Sequence, residues 1–122
     1  ERGYLSLVGR AKDLVICGGL NVYPKEIEEI VDGFAGVRES AIIGLQHPDF
    51  GEAVAAVIHT EPGAGLTAER VIFRLKDMVA NFKVPKAVFF VDELPRNAMG
   101  KVQKNVLRDR YRGTFETGRG QG

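Results

Sequence analysis

A single cysteine, Cys17, leaves nothing to close an internal disulfide with and points to a reducing compartment. Only two histidines occur, His47 and His59, and they stand apart from each other and from Cys17, so no metal-ligand spacing appears. With no histidine beside it, Cys17 lacks the base a thiol nucleophile needs and reads as a small packing residue. Long hydrophobic runs are missing as well. Runs such as Ala53–Ile58 fall far short of the roughly 20 residues a helix needs to cross a bilayer. The three tyrosines, Tyr4, Tyr23 and Tyr111, are too dispersed for a base-stacking platform. The opening residues Glu1-Arg2-Gly3-Tyr4 carry neither a starting Met nor the apolar stretch of a signal peptide, so we expect a piece of a longer protein. Seventeen basic against 16 acidic residues give a net charge of +1, which argues against a general polyanion binder. What remains is 122 residues, 44% hydrophobic and 27% charged, enough for one domain with its own core.

The near-zero net charge hides two blocks of opposite sign. Glu26, Glu28, Glu29, Asp32 and Glu39 face a lone Arg38, whereas Arg96, Lys101, Lys104, Arg108, Arg110 and Arg112 face a lone Asp109. The basic block is either a surface that meets phosphates or a solvated helix face.

Local chemistry sets the elements. Tyr4–Val8 alternates and predicts a strand. Leu14–Cys17 and Leu20–Val22 flank Gly18-Gly19, a hairpin pattern, because glycine takes positive φ at little cost. Pro24 suits the first position of a helix, and Ile27, Ile30, Val31 and Phe34 recur at helical spacing. Val37–Leu45 and Glu52–Thr60 predict two strands around a turn at 46–51. Thr67 is an N-cap, with Leu66 and Val71 placed as a staple. Val71, Ile72, Leu75, Met78, Val79 and Phe82 then predict a helix running up to Pro85. Ala87–Val91 is wholly apolar and predicts a central strand. Gln103–Arg112 predicts a last helix, and 113–122 a flexible tail. The expectation is an α+β single domain: an N-terminal β-hairpin and a mixed sheet with about three packed helices.

The segment Pro95–Lys101 invites comparison with a phosphate-binding loop and fails it. Pro95 stands where the first Gly belongs and Val102 where a Ser or Thr should be. Lys101 is then either a solvent-exposed lysine or a mobile point charge that meets a phosphate.

Three segments together carry a resemblance. Gly9-Arg10-Ala11-Lys12-Asp13-Leu14-Val15-Ile16-Cys17-Gly18-Gly19-Leu20-Asn21-Val22-Tyr23-Pro24-Lys25-Glu26-Ile27-Glu28 resembles the signature opening the C-terminal domain of adenylate-forming enzymes. These are the AMP-binding acyl-CoA synthetases, adenylation domains and luciferases. Asn81-Phe82-Lys83-Val84-Pro85 resembles the family's short middle motif, and Leu94–Lys101 its closing lysine motif. The segments Asn21–Glu26, His47–Glu52 and Val102–Asn105 resemble malonyl-CoA synthetases most.

The resemblance implies a lid domain over residues 1–112 that swivels on an N-terminal AMP-binding domain lying outside this chain. It implies that Lys101 is catalytic and nucleotide-binding during adenylation, that Arg10 contacts the nucleotide, and that Lys12 is the hinge. Gly18, Gly19 and Leu20 would form the hairpin lining the CoA tunnel. The implied reaction joins a carboxylic acid, malonate or methylmalonate, to CoA with ATP, giving AMP and pyrophosphate. Mg²⁺ and the acyl pocket would belong to the N-terminal domain, and the isolated piece would be inactive. A lysine acetyltransferase acting at Lys101 is a further implied partner, and the cytoplasm, or the mitochondrial matrix in a eukaryote, the implied compartment. No nucleic acid and no membrane are expected as partners. Two alternatives stand beside this reading: another acyl- or aryl-CoA ligase, and a non-catalytic module binding nucleic acid through the basic block.

Overall fold

The computed structural model describes residues 14–115. Strands β1 (Val15–Cys17) and β2 (Leu20–Val22) form a hairpin, followed by helix α1 (Pro24–Asp32), strands β3 (Val37–His47) and β4 (Gly51–Thr60), helix α2 (Ala68–Lys76), strand β5 (Ala87–Val91) and helix α3 (Lys104–Arg110). This is the element order read from the sequence. The strand expected at Tyr4–Val8 lies outside the described residues.

β3 and β4 pair antiparallel along almost their whole length, from Val37 opposite Thr60 to His47 opposite Gly51. α2 is the crossover that lets β5 pair parallel to β4, from Ala55 beside Ala87 to His59 beside Val91. β1 pairs antiparallel with β2 and meets β4 at one pair, Cys17 opposite Gly51. Ser40–Leu45 and Ala53–Ile58 are buried without a break, because both faces of the sheet are covered. Alternate residues sort to opposite sides. Ile42, Val54, Ala56 and Ile58 pack with Ile27 and Val31 of α1 and Val71 and Leu75 of α2. Ala41, Ile43, Leu45, Ala55 and Val57 pack with Leu94 and with Leu107 of α3. The result is an α+β domain of three layers, with Cys17 buried as a packing residue at 5% exposure.

Three expectations change. α2 ends at Lys76 with Asp77 as its cap, well before Phe82. The helical spacing of Met78, Val79 and Phe82 persists, but Asn81–Lys83 form a separate 3₁₀ turn. Pro85 keeps Val84 extended, and the chain needs that stretch to reverse into a parallel strand. Val79 and Phe82 reach the core from this loop, while Met78 is left 53% exposed. Among the described residues, β5 is an edge strand and not a central one: it pairs with β4 alone. Its apolar run reflects cover on both faces, with Val88 facing one core cluster and Ala87, Phe89 and Val91 the other. Phe89 stacks on Tyr111 at 4.0 Å between ring centroids. The last helix is shorter than expected, with Gln103 and Tyr111 as its caps. Beyond it, Gly113–Phe115 continue in turns, and Phe115 packs on the α3 side of the sheet.

Candidate functional site

Lys101 sits on a loop that its own backbone closes. Arg96 and Val102 form an isolated antiparallel bridge, and the Gln103 N–H donates to the Pro95 carbonyl at 2.8 Å. Inside that bridge, the Asn97 N–H donates to the Lys101 carbonyl at 3.0 Å and the Gly100 N–H to the Asn97 carbonyl at 2.9 Å. The Asn97 side-chain oxygen accepts from the Met99 N–H at 2.9 Å and the Lys101 N–H at 3.0 Å. Gly100 adopts φ +85°, a conformation L side chains rarely take. The Arg96 guanidinium donates to the Gly100 carbonyl at 2.8 Å and pairs with Glu39 on β3. Leu94, 4% exposed, anchors the loop in the core. The backbone at Lys101 is thus held from both sides, while its side chain is exposed and has no polar partner among the described residues. That makes a positioned cation free to meet an anion.

The hairpin turns on two left-handed residues, Gly18 at φ +59° and Gly19 at φ +85°, the primed turn whose twist suits antiparallel strands. The Gly18 N–H donates to the Phe50 carbonyl at 2.9 Å. A side chain at Gly19 would meet nothing within 4 Å, so this glycine faces open space. Leu20 beside it is 50% exposed and Ile16 47%.

Gly18 touches the β3–β4 turn, whereas the lysine loop is tied to Glu39 near the other end of β3. Glu39 and His47 are eight residues apart in one strand, so the two elements stand roughly 26 Å apart along the sheet.

The charge blocks meet each other. Glu28 pairs with Lys104 and Glu39 with Arg96, while Arg112 pairs with Asp109 at 3.2 Å inside the basic block itself. Part of the basic block is thereby neutralised, which weakens its use as a nucleic-acid surface. Arg10 and Lys12 lie outside the described residues. Among the described residues, no group of three or more His, Cys, Asp or Glu side chains could hold a metal, and no helix is long and apolar enough to cross a membrane.

Residues 26–101, more than half of the chain, match the family model described as the AMP-binding enzyme C-terminal domain. The chain belongs to this family. A 3-[(3aS,4S,7aS)-7a-methyl-1,5-dioxo-octahydro-1H-inden-4-yl]propanoyl:CoA ligase of Rhodococcus jostii is 48% identical over 109 residues, 89% of this chain and 21% of the relative. The long-chain-fatty-acid–CoA ligase FadD13 of Mycobacterium tuberculosis is 40% identical over 114 residues, 93% of this chain and 22% of the relative. The crystal structure of ATP-bound MatB from Rhodopseudomonas palustris aligns with a TM-score of 0.84 at 56% identity, covering 88% of this chain and 22% of that one. The chain thus spans about a fifth of the length of the curated relatives it matches. These relatives are acid–CoA ligases, and the AMP-binding C-terminal domain described above is a domain of such adenylate-forming enzymes.

The loop position of Lys101 and the turn at Gly18-Gly19 are legible in the sequence. The bond of Asn97 to the Lys101 backbone is not, nor are those of the Phe50 carbonyl and the Glu52 carboxylate, which accept from the Gly18 and Ile16 N–H groups at 2.9 Å each. Asn97 carried a weak signal, since Asn in a Gly-containing loop often bonds its own backbone. The ties of Phe50 and Glu52 to the hairpin join distant parts of the chain and left none.

Proposed function

We propose that this chain is the swivelling C-terminal domain of an ATP-dependent acid–CoA ligase. The single observation that carries the reading is the placement of an exposed Lys101, without a polar partner among the described residues, on a closed loop at one end of the sheet, with a glycine hairpin at the other. In adenylation, the substrate carboxylate attacks the α-phosphorus of ATP, an acyl–phosphate bond forms and pyrophosphate leaves. Lys101 is the cation that stabilises charge building on the phosphate oxygens, and it is effective because its backbone is fixed before substrate arrives. In the second step the CoA sulfur attacks the acyl carbon, a thioester forms and AMP leaves. Gly18, Gly19 and Leu20 then line the approach of the thiol, where Gly19 offers no side chain to obstruct it.

Elements roughly 26 Å apart along one strand do not both reach one reacting carbon in a single orientation. Rotation of the whole domain between the steps resolves this, with Lys12 as the hinge and Arg10 on the nucleotide. Mg²⁺ belongs to the N-terminal domain, with which this one pairs. A lysine acetyltransferase acting on Lys101 would remove its charge and switch off adenylation.

For the acid, malonate or methylmalonate is the reading favoured by Asn21–Glu26, His47–Glu52 and Val102–Asn105, which resemble malonyl-CoA synthetases. A second reading, another acyl- or aryl-CoA ligase, is kept by the 48% and 40% identities to ligases of a ring-bearing propanoyl and of long-chain fatty acids. The test is to assay the protein carrying both domains with ATP, CoA and each acid in turn, following AMP release. Malonate turning over at least about tenfold faster than fatty or aryl acids is the expected result. Preference for another acid overturns the malonate assignment, and no acid turning over overturns the ligase.

A further inference from the structure

The hairpin proposed to guide CoA buries Val15, Cys17 and Val22 in the core, but it has little backbone pairing to hold its turn in place. β1 and β2 have three residues each, and a two-stranded hairpin of that size does not hold itself in water. Among the described residues, its pairing to the rest of the sheet is one residue pair, Cys17 opposite Gly51. Among the described residues, two further hydrogen bonds reach it, one from the β3–β4 turn and one from the start of β4. The Gly18 N–H donates to the Phe50 carbonyl at 2.9 Å, and the Ile16 N–H donates to the Glu52 carboxylate at 2.9 Å.

The turn is itself braced. The Phe50 ring stacks on His47 with centroids 4.4 Å apart, and the Lys86 ammonium sits 4.9 Å from its centroid. His47 Nδ1 accepts from the Asp49 N–H at 3.0 Å, which closes the turn from within. Phe50 is 37% exposed, so its ring is not a core residue. It lies against the turn glycine instead: a Cβ on Gly18 would stand 3.8 Å from Phe50 Cδ1. Glu52 is brought in by Gly44, where a Cβ would fall 3.1 Å from the Glu52 carboxylate and 2.9 Å from Val15 Cγ1.

We infer that the β3–β4 turn and the start of β4 form a platform that aims the hairpin, with Phe50 and Glu52 as positioning residues for the thioester step. This rests on the reading of the hairpin given above. The role assigned to both is to hold the hairpin and not to bind substrate. Each fixes the backbone of Gly18 or Ile16, and a displacement of about 1 Å in such a channel is enough to cost on the order of 10²-fold in rate. Neither residue contacts the lysine loop, which stands at the far end of β3.

The test uses the protein carrying both domains. Adenylation is read by ATP–pyrophosphate exchange, and the thioester step by supplying preformed acyl-adenylate and CoA. Glu52→Ala and Phe50→Leu are expected to slow the thioester step by about tenfold or more while exchange changes by less than about twofold. Glu52→Gln keeps an acceptor for Ile16 and Phe50→Tyr keeps the ring, so both are expected to restore the rate. Thermal unfolding is followed alongside. If Glu52→Ala does not fold, Phe50→Leu, at a half-exposed ring, decides. Equal losses in both steps, no loss in the thioester step, or no rescue by the conservative variants overturns the platform. Gly19→Leu separates this from the parent reading. If that variant blocks the thioester step while Glu52→Ala and Phe50→Leu leave it intact, the platform alone falls. If Gly19→Leu spares the step, the hairpin reading falls and the platform with it.

Discussion

Asn97 controls where Lys101 stands. One side-chain oxygen receives two backbone N–H groups, those of Met99 and Lys101, at 2.9 and 3.0 Å. Asn97→Ala removes that acceptor but leaves the Arg96–Val102 bridge and the Leu94 anchor in place. The loop should then stay attached and lose its shape. The expected outcome is a domain that unfolds within about 1–2 kcal/mol of the parent in urea, the scale of the hydrogen bonds lost. Adenylation should fall by about tenfold, less than removing the lysine charge itself. Pyrophosphate exchange at saturating ATP checks it. At this scale Lys101 and the Gly18-Gly19 pair were legible, because a Gly before a lone loop Lys and paired glycines between short apolar runs are local patterns. The Ile16–Glu52 tie spans 36 residues and leaves no local mark.

Among the elements, β3 shows how an edge is closed. Among the described residues its outer side is unpaired in the sheet, yet the Ile42 N–H donates to the Glu28 carboxylate at 2.9 Å and the Ser40 hydroxyl to Asp32 at 2.7 Å. Glu28 also pairs with Lys104, so one carboxylate joins α1, β3 and α3, with the two side chains 19% and 16% exposed. Glu28→Ala leaves a part-buried N–H without its acceptor and should destabilise by about 1–3 kcal/mol in urea unfolding. Glu28→Gln retains an acceptor and should lose less. The start of α1 was legible from Pro24 at its first position and that of α2 from its cap Thr67, which accepts from the Arg70 N–H at 3.2 Å. The end of α2 was not. A helical spacing continued through Phe82 while the chain had to reverse for a parallel strand. The edge position of β5 was hidden for a similar reason: an apolar run reports covered faces and says nothing about which neighbours pair with it.

At the scale of the whole domain, the acidic stretch of α1 and β3 neutralises part of the basic stretch around α3, and the net charge of +1 summarises that match. The lysine loop and the hairpin occupy opposite ends of β3. The domain must therefore turn as a body if each is to serve one half-reaction. Pro at position 12 would fix its own φ near −65° and restrict Ala11. Lys12→Pro, in the protein carrying both domains, should impair one half-reaction by at least about tenfold more than the other, as a blocked hinge does. Equal losses in pyrophosphate exchange and thioester formation would place the hinge elsewhere.

The most direct measurement takes Lys101→Ala in that same protein and reads the two half-reactions separately. The side chain is exposed and touches no polar group among the described residues, so the variant should unfold as the parent does. ATP–pyrophosphate exchange should fall by about 10²-fold or more, the scale of removing one charge partner from a transition state. Preformed acyl-adenylate and CoA should still give thioester at close to the parent rate. If the thioester step is as crippled as adenylation, Lys101 does not serve one half-reaction alone, and the division of labour between the two ends of the domain is contradicted.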